Sequence, residues 1–234
     1  MPFSVIIPVF NEEKIIEKNT IKLIRFLNKL KENYEIIIVS NGSTDKTVDK
    51  GKRLEKKYSK KVRFFHLDKR GVGLAFRHAI THALYNNLIS MDMDLSTELD
   101  FIPNCLKLLN SNYSMIIGSK NVGKQQRSFL RRFISNSFIF LVRSLLKITF
   151  MDYSIGAKGY KRNRILRYIN FIDNGSSYVV SLAYMIKKDG LKIIEIPTNC
   201  LDKRKSKFNL IHEIFYRFKS LVIFWFRVRL LKQK

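Results

Sequence analysis

An open, mostly parallel α/β sheet flanked by helices is predicted for this chain by three features of its first half. Short apolar runs at Phe3–Val9, Tyr34–Val39, Val62–His66 and Leu88–Met91 are the length of buried strands. The segments between them repeat apolar residues at helical spacing, as in Ile15, Ile16, Ile21, Leu23, Ile24, Leu27 and Leu30. Each run stops at a polar loop. Strands alternating with helices imply parallel crossovers, and such a sheet binds ligands at the carboxyl ends of its strands. The loops after Val9, Val39 and Met91 therefore converge on one crevice.

The elements follow in order. Asn11-Glu12-Glu13 opens the first helix with Asn11 as its cap, and Ser40-Asn41-Gly42-Ser43-Thr44-Asp45 combines turn residues with helix-start residues. Asp45 fits a structural role, because a negative charge is favoured at a helix N-terminus. Arg70-Gly71-Val72-Gly73 before the next helix could approach a phosphate, and a tight turn explains it equally well. A helix over Asp100–Leu109 and a strand over Met115–Gly118 complete this half, followed by a basic segment from Lys120 to Arg132. Beyond it lie an apolar stretch from Phe133 to Phe150 and a largely helical region from Ile165 to Lys188. A strand over Ile193–Pro197, a basic loop from Asp202 to Lys207 and a long final helix close the chain. We read residues 1–202 as one catalytic domain and 203–234 as a basic loop with an amphipathic helix.

Composition bounds the partners. At 234 residues and 46% hydrophobic, the chain can bury a real core and is not disordered. A formal net charge of +25 points to an anionic partner: nucleic acid, a phosphorylated small molecule or an acidic membrane surface. Cys105 and Cys200 show no disulfide or zinc spacing, which reads as two reduced thiols in a cytosolic compartment. The N-terminus lacks the basic flank and long apolar region of a signal peptide. No apolar stretch reaches the roughly 20 uninterrupted residues of a spanning helix, since Arg143 and Lys147 interrupt one candidate and Arg227 and Arg229 the other.

The strand ending at Met91-Asp92-Met93-Asp94 carries the chemistry. In extended chain Asp92 and Asp94 project to one side, and two such carboxylates suit one hard cation completed by water and phosphate oxygens. The alternative is that they end a strand and cap the next helix.

Ser4-Val5-Ile6-Ile7-Pro8-Val9-Phe10-Asn11-Glu12, Val39-Ser40-Asn41-Gly42-Ser43-Thr44-Asp45 and Met91-Asp92-Met93-Asp94-Leu95, in that order, resemble the family 2 glycosyltransferases. Gly118-Ser119-Lys120, Arg131-Arg132-Phe133-Ile134-Ser135, Asp152-Tyr153-Ser154-Ile155-Gly156, Glu195-Ile196-Pro197 and Ser206-Lys207 resemble its dolichol-phosphate mannosyltransferase branch. The resemblance implies a GT-A fold and transfer of a sugar, mannose or glucose, from a nucleotide-sugar to a polyprenyl (dolichyl) phosphate. It implies Pro8, Phe10, Glu12, Ser40 and Asn41 on the donor, and Asp92 and Asp94 holding Mg²⁺ or Mn²⁺ against its diphosphate. Lys120, Arg131, Ser135 and Lys207 would hold the acceptor phosphate. The chain departs from the pattern at Ser40 and Asn41, where members carry acids, and at Lys120, where they carry arginine. A lysine keeps the charge without the bidentate fork.

No acidic pair follows the metal motif to serve as a base, which suits a phosphate acceptor. A phosphate monoester is largely dianionic at neutral pH, with a second pKa of about 6, and attacks without one. Phe133–Phe150 and Phe208–Leu231 are apolar and flanked by arginine and lysine, as in helices lying on an anionic membrane surface. Core packing or a subunit contact is the alternative for both. A peripheral place on the cytoplasmic face of a membrane is the expectation. Rival readings are a family member acting on a saccharide, a non-catalytic sugar-nucleotide binder, and a nucleic-acid-binding module. The last predicts aromatics interleaved with basic residues on an exposed face. The aromatics cluster in long apolar stretches instead, so no nucleic-acid partner is expected.

Overall fold

The computed structural model describes residues 1–120, 129–200 and 210–230, with backbone alone at 129–133 and 210–213. The elements are β1 (Phe3–Val9), α1 (Ile16–Lys29), β2 (Tyr34–Asn41), α2 (Thr47–Lys57), β3 (Val62–Leu67), α3 (Val72–His82), β4 (Asn87–Ser90) and α4 (Phe101–Asn110). There follow β5 (Met115–Ser119), α5 (Phe129–Leu146), β6 (Lys158–Lys161), the short α6 (Arg162–Ile165), a 3-10 turn over Leu166–Phe171, α7 (Tyr178–Lys188), β7 (Ile193–Pro197) and α8 (Leu210–Leu230).

The described strands form one sheet of order β3-β2-β1-β4-β6-β5-β7. β1, β2, β3 and β4 run parallel, and so do β5 and β7. β6 lies antiparallel between β4 and β5. The chain winds outward from β1 to β3, then α3 carries it back to β4 on the other side of β1. That reversal opens a crevice above the carboxyl ends of β1 and β4, where open α/β sheets bind ligands.

Both faces of the sheet are covered, which is why its central strands read as continuous apolar runs. Alternation along β1 sends Ile6 to one core layer and Val5 and Ile7 to the other. One layer holds α1, α2 and α4; α1 buries Ile16, Thr20, Leu23, Ile24 and Leu27, a stripe at helical spacing. The opposite layer holds α3, α5, α7 and α8. The final helix, expected to lie outside the core domain, contributes Leu221, Phe224 and Val228 to it, and Phe218 meets Phe138 of α5 edge-on at 5.6 Å.

Two expectations need correction: Asn11 does not cap α1, which starts at Ile16 with Ile15 as its N-cap, and a strand was missed. The sequence reading has no strand at 158–161, and β6 is there. The region from Ile165 to Lys188 is largely helical as expected, with Asp173-Asn174-Gly175-Ser176-Ser177 forming a loop ahead of α7. The N–H groups of Gly73 and Leu74 at the start of α3 both donate to the Asn174 carbonyl, at 3.1 and 3.3 Å. A Cβ at Gly71 would lie 2.4 Å from that carbonyl oxygen, and one at Gly73 would lie 2.0 Å from the Asp173 carbonyl oxygen. The two glycines thus serve close packing of this loop.

On the other side the loop is held by α8. The Tyr216 hydroxyl donates to Asp173 Oδ2 and accepts the Gly175 N–H at 2.9 Å, and Arg217 Nε donates to Ser176 Oγ at 3.1 Å. Burial and then the Asp173 bond push the Tyr216 hydroxyl up to about 12. Gly73→Ala is expected to cost about 1–3 kcal/mol in urea unfolding, because its methyl group meets backbone that no rotamer change can clear.

Candidate active site

The loops after β1, β2 and β3 are stitched together before any ligand arrives. Asn11, at φ +54°, accepts the Thr44 N–H on its Oδ1 at 2.8 Å, and its own N–H donates to Ser43 Oγ at 3.1 Å. The Glu12 N–H donates to Thr47 Oγ1 at 2.7 Å and the Glu13 N–H to Asp45 Oδ2 at 3.2 Å. Asp45 also accepts the Thr47 N–H at 2.9 Å, the structural role expected of it. Pro8 is half-buried near the end of β1. Phe10 beyond it is half-buried beneath the Arg70 guanidinium, 4.2 Å from the ring centre.

Ser40 and Asn41 lie behind this surface. Ser40 is fully buried and its hydroxyl donates to Ser43 Oγ at 2.8 Å, with His66 Nδ1 at 3.2 Å. Asn41 is 4% exposed; its Nδ2 donates to the Val9 carbonyl at 2.8 Å and its Oδ1 accepts the Gly71 N–H at 3.0 Å. Both side chains are expected from the resemblance to meet the donor; in this structure both are buried and bond to the chain itself. For Asn41 this also accounts for the missing acid, since an ionised carboxylate has no proton to give the Val9 carbonyl.

At the end of β4 the alternation holds: Met91 and Met93 are buried, Asp92 is exposed and Asp94 is half-buried. A turn closes on the pair, the Asp92 carbonyl accepting the Leu95 N–H at 3.1 Å and Asp94 Oδ1 accepting the Ser96 N–H at 3.0 Å. Helix α4 begins only at Phe101, so the two carboxylates do not cap it.

Asp92 meets a second loop. The Gly156 N–H donates to its Oδ2 at 3.0 Å, and a Cβ on Gly156 would fall 2.4 Å from Oδ1. The turn leading to Gly156 is built on Asp152, which is 2% exposed. Asp152 accepts the N–H and hydroxyl of Ser154 on Oδ1, both at 2.7 Å, and the Lys120 N–H on Oδ2 at 3.2 Å. The turn ends in β6, whose Lys158 is fully buried with Nζ donating to the Ile155 carbonyl at 2.6 Å. Burial drives that ammonium down to about 8, and the negative charges of Asp152 and then Asp92 oppose the shift. Burial likewise raises the Tyr178 hydroxyl, with Asp92 adding to it.

The expected acceptor side is partly in view. Lys120 follows β5, and Ser135 is half-buried on α5. Arg131 lies on α5 with its side chain outside the described residues, as does Lys207 altogether. Among the described residues no group of three or more His, Cys, Asp or Glu could hold a metal ion. Asp92 and Asp94 are all-oxygen donors, and as a pair they suit Mg²⁺ or Mn²⁺ completed by water and phosphate oxygens. Sequence reasoning missed Lys158. The signal available was a lysine between Ala157 and Gly159 in an otherwise uncharged segment from Tyr153 to Tyr160.

An open sheet that brings two carboxylates to its reversal point suits a phosphorylated ligand held with a divalent cation. Residues 4–168 match the family described as Glycosyl transferase family 2, and the chain belongs to that family. It is 28% identical over 201 residues to the dolichol-phosphate mannosyltransferase of Pyrococcus furiosus, covering 84% of this chain and 56% of that protein. It is 27% identical over 245 residues to the dolichyl-phosphate beta-glucosyltransferase of Drosophila melanogaster, covering 97% of this chain and 75% of that one. The chain thus spans little more than half of the archaeal relative and three quarters of the insect one. In fold it is similar to glucosyl-3-phosphoglycerate synthase from Mycobacterium tuberculosis, solved with Mn²⁺, uridine diphosphate and phosphoglyceric acid. The TM-score is 0.68 at 16% identity over 96% of this chain and 78% of that one. The likeness bears out the GT-A fold.

Asn41→Asp is expected to lower stability at pH 7 by about 1–3 kcal/mol, because it sets a buried anion against the Val9 carbonyl. A carboxyl kept neutral by the fold has a raised pKa there, so the penalty is present above that pKa and shrinks as the pH falls through it. Thermal unfolding of variant and wild type at pH 7 and pH 4.5 reads the difference.

Proposed function

We propose that the chain is an inverting glycosyltransferase that moves a hexose, mannose or glucose, from a nucleotide-sugar to a polyprenyl phosphate at a membrane surface. The observation that carries this is the Asp92 and Asp94 pair at the sheet's reversal point, in a chain whose curated relatives are named for transfer to dolichyl phosphate. Pro8, Phe10 and Glu12 line the donor side, with Ser40 and Asn41 bracing them. Asp92 and Asp94 hold the divalent cation, which when bound offsets charge on the departing nucleoside diphosphate.

The acceptor phosphate needs no base. One of its oxygens attacks the anomeric carbon from the face opposite the leaving group, the carbon–oxygen bond to the diphosphate breaks, and the configuration inverts. Lys120, Arg131 and Lys207, with the Ser135 hydroxyl, orient the acceptor anion through charge-assisted hydrogen bonds. The structural neighbours bind Mn²⁺ or Mg²⁺ with uridine diphosphate, which supports a divalent-metal requirement in this fold.

Membrane contact is assigned to the outer face of α8 and its neighbour α5. Phe215, Ile223, Phe226 and Leu230 are each more than half exposed, as is Phe140 on α5, with Lys219, Arg227 and Arg229 beside them. No helix among the described residues is long and apolar enough to cross a membrane. We assign a peripheral attachment at the cytoplasmic face, made by the exposed sides of α5 and α8, whose buried sides belong to the core.

Two measurements test the reading. Transfer of radiolabelled hexose from its nucleotide to a polyprenyl phosphate is expected to stop on chelation, return with Mn²⁺ or Mg²⁺, and fall at least about a hundredfold in Asp94→Asn. Near-normal, metal-dependent turnover by Asp94→Asn would remove that residue from the site. Arg131→Ala is expected to raise KM for polyprenyl phosphate while calorimetry finds donor affinity unchanged. Lost donor affinity with unchanged acceptor kinetics would move Arg131 to the donor side.

A further inference from the structure

Lys158 is a charged side chain in a place that excludes water. It is fully buried on β6, opposite Ser90 of β4 and Ile117 of β5. An ammonium group is kept in such a place only by partners that replace its hydration. Its Nζ donates to the Ile155 carbonyl at 2.6 Å, and the buried Asp152 and the exposed Asp92 supply opposite charge.

The Ile155 carbonyl and the Gly156 N–H are the two ends of one peptide group, which is planar and rigid. Lys158 grips the carbonyl end, and the N–H end donates to Asp92 Oδ2 at 3.0 Å. The next peptide is fixed as well, because the Ser90 hydroxyl donates to the Gly156 carbonyl. Rotating the 155–156 peptide away from Lys158 necessarily turns its N–H away from Asp92, and a full flip would set its carbonyl oxygen against the carboxylate. A Cβ at position 156 would sit within 2.4–2.7 Å of the Asp92 carboxylate atoms, so a side chain there would push the carboxylate out of this contact. An ammonium on the carbonyl also polarises the peptide and strengthens the N–H as a donor.

We propose that Lys158 is the positioning residue for Asp92: the buried ammonium fixes the 155–156 peptide, and the peptide fixes the carboxylate. Lys158 does not reach substrate. The inference rests on the proposed function only for what Asp92 then does, which is to hold a divalent cation against the donor diphosphate. Of the charged groups on the elements around it, Asp152, Asp92 and Glu195 favour the ammonium and Arg217 of α8 opposes it.

Lys158→Met keeps the volume and removes the charge and the donor, and it is compared with wild type after circular dichroism has established that both fold. Two readouts are taken: hydrogen exchange of the Gly156 amide by NMR, and affinity for Mn²⁺ alone. The variant is expected to exchange that amide at least about tenfold faster and to lose about 10–100-fold in Mn²⁺ affinity, the range for partners that orient metal ligands. Asp94→Asn is expected to lose Mn²⁺ affinity with Gly156 still protected, and Lys158→Met in an Asp92→Asn background to add less than about twofold to the loss. Should the methionine variant fail to fold, Lys158→Gln, which keeps an N–H donor without the charge, is measured in its place. Unchanged Gly156 protection in the folded variant, or additive losses in the double variant, would overturn the proposal. A wild type that binds no Mn²⁺ either alone or with a nucleoside diphosphate, yet whose Gly156 protection depends on Lys158, would uphold the positioning and overturn the cation role proposed for Asp92.

Discussion

A carboxylate that is to meet a cation must be held in one orientation and still face solvent. Asp92 meets both conditions because its fixed partner is a backbone N–H, from Gly156, rather than a side chain. That contact requires β6 to run antiparallel between β4 and β5, so that the turn before it arrives beside the end of β4. It also requires a glycine at 156 and a buried acid, Asp152, on which the turn is folded. The sheet order is the geometry that lets the second half of the chain reach the carboxylate of the first.

The opposite end of the sheet shows what a structural carboxylate looks like. Glu35 is 3% exposed and accepts from the Ser4 hydroxyl at 2.7 Å, the Leu84 N–H at 2.6 Å and Arg63 at 3.1 Å. Its hydrogen-bonding capacity is taken up by β1, β3 and the turn before β4, and removing it would leave those donors unsatisfied. Glu35 fastens strands together at the closed end. Asp92 and Asp94 stand at the open end, bonded to backbone amides and reachable from solvent.

Much of this was legible in the sequence. Strands β1, β2 and β4 declared themselves because central parallel strands covered on both faces are largely apolar, and the spacing of Asp92 and Asp94 survived into the structure because Met91 and Met93 anchor the alternation. Strand β6 did not, for a physical reason. Lys158-Gly159-Tyr160-Lys161 has no apolar run, and its place inside the sheet comes from its neighbours and from compensation of the buried lysine. Ser40 and Asn41 mark a different limit. Residue type announces what a side chain can bond, whereas exposure decides whether the partner is a ligand or the chain itself. The helical reading of Ile165–Lys188 holds for most of that region, and the apolar periodicity that resumes on both sides of its five-residue loop hides the break.

Tyr216 has a mechanical consequence. Its hydroxyl bridges Asp173 and Gly175; the Asn174 carbonyl between them receives the first amides of α3; the Gly71 amide just ahead of that helix reaches Asn41; and Asn41 reaches the Val9 carbonyl beneath Phe10. Short, stiff members thus form a strut from the last helix to the lip of the crevice above the sheet. A force that displaces α8 therefore strains this linkage along its whole length. The exchange is reciprocal: whatever free energy the far helix imposes on the crevice, an occupied crevice imposes on the helix.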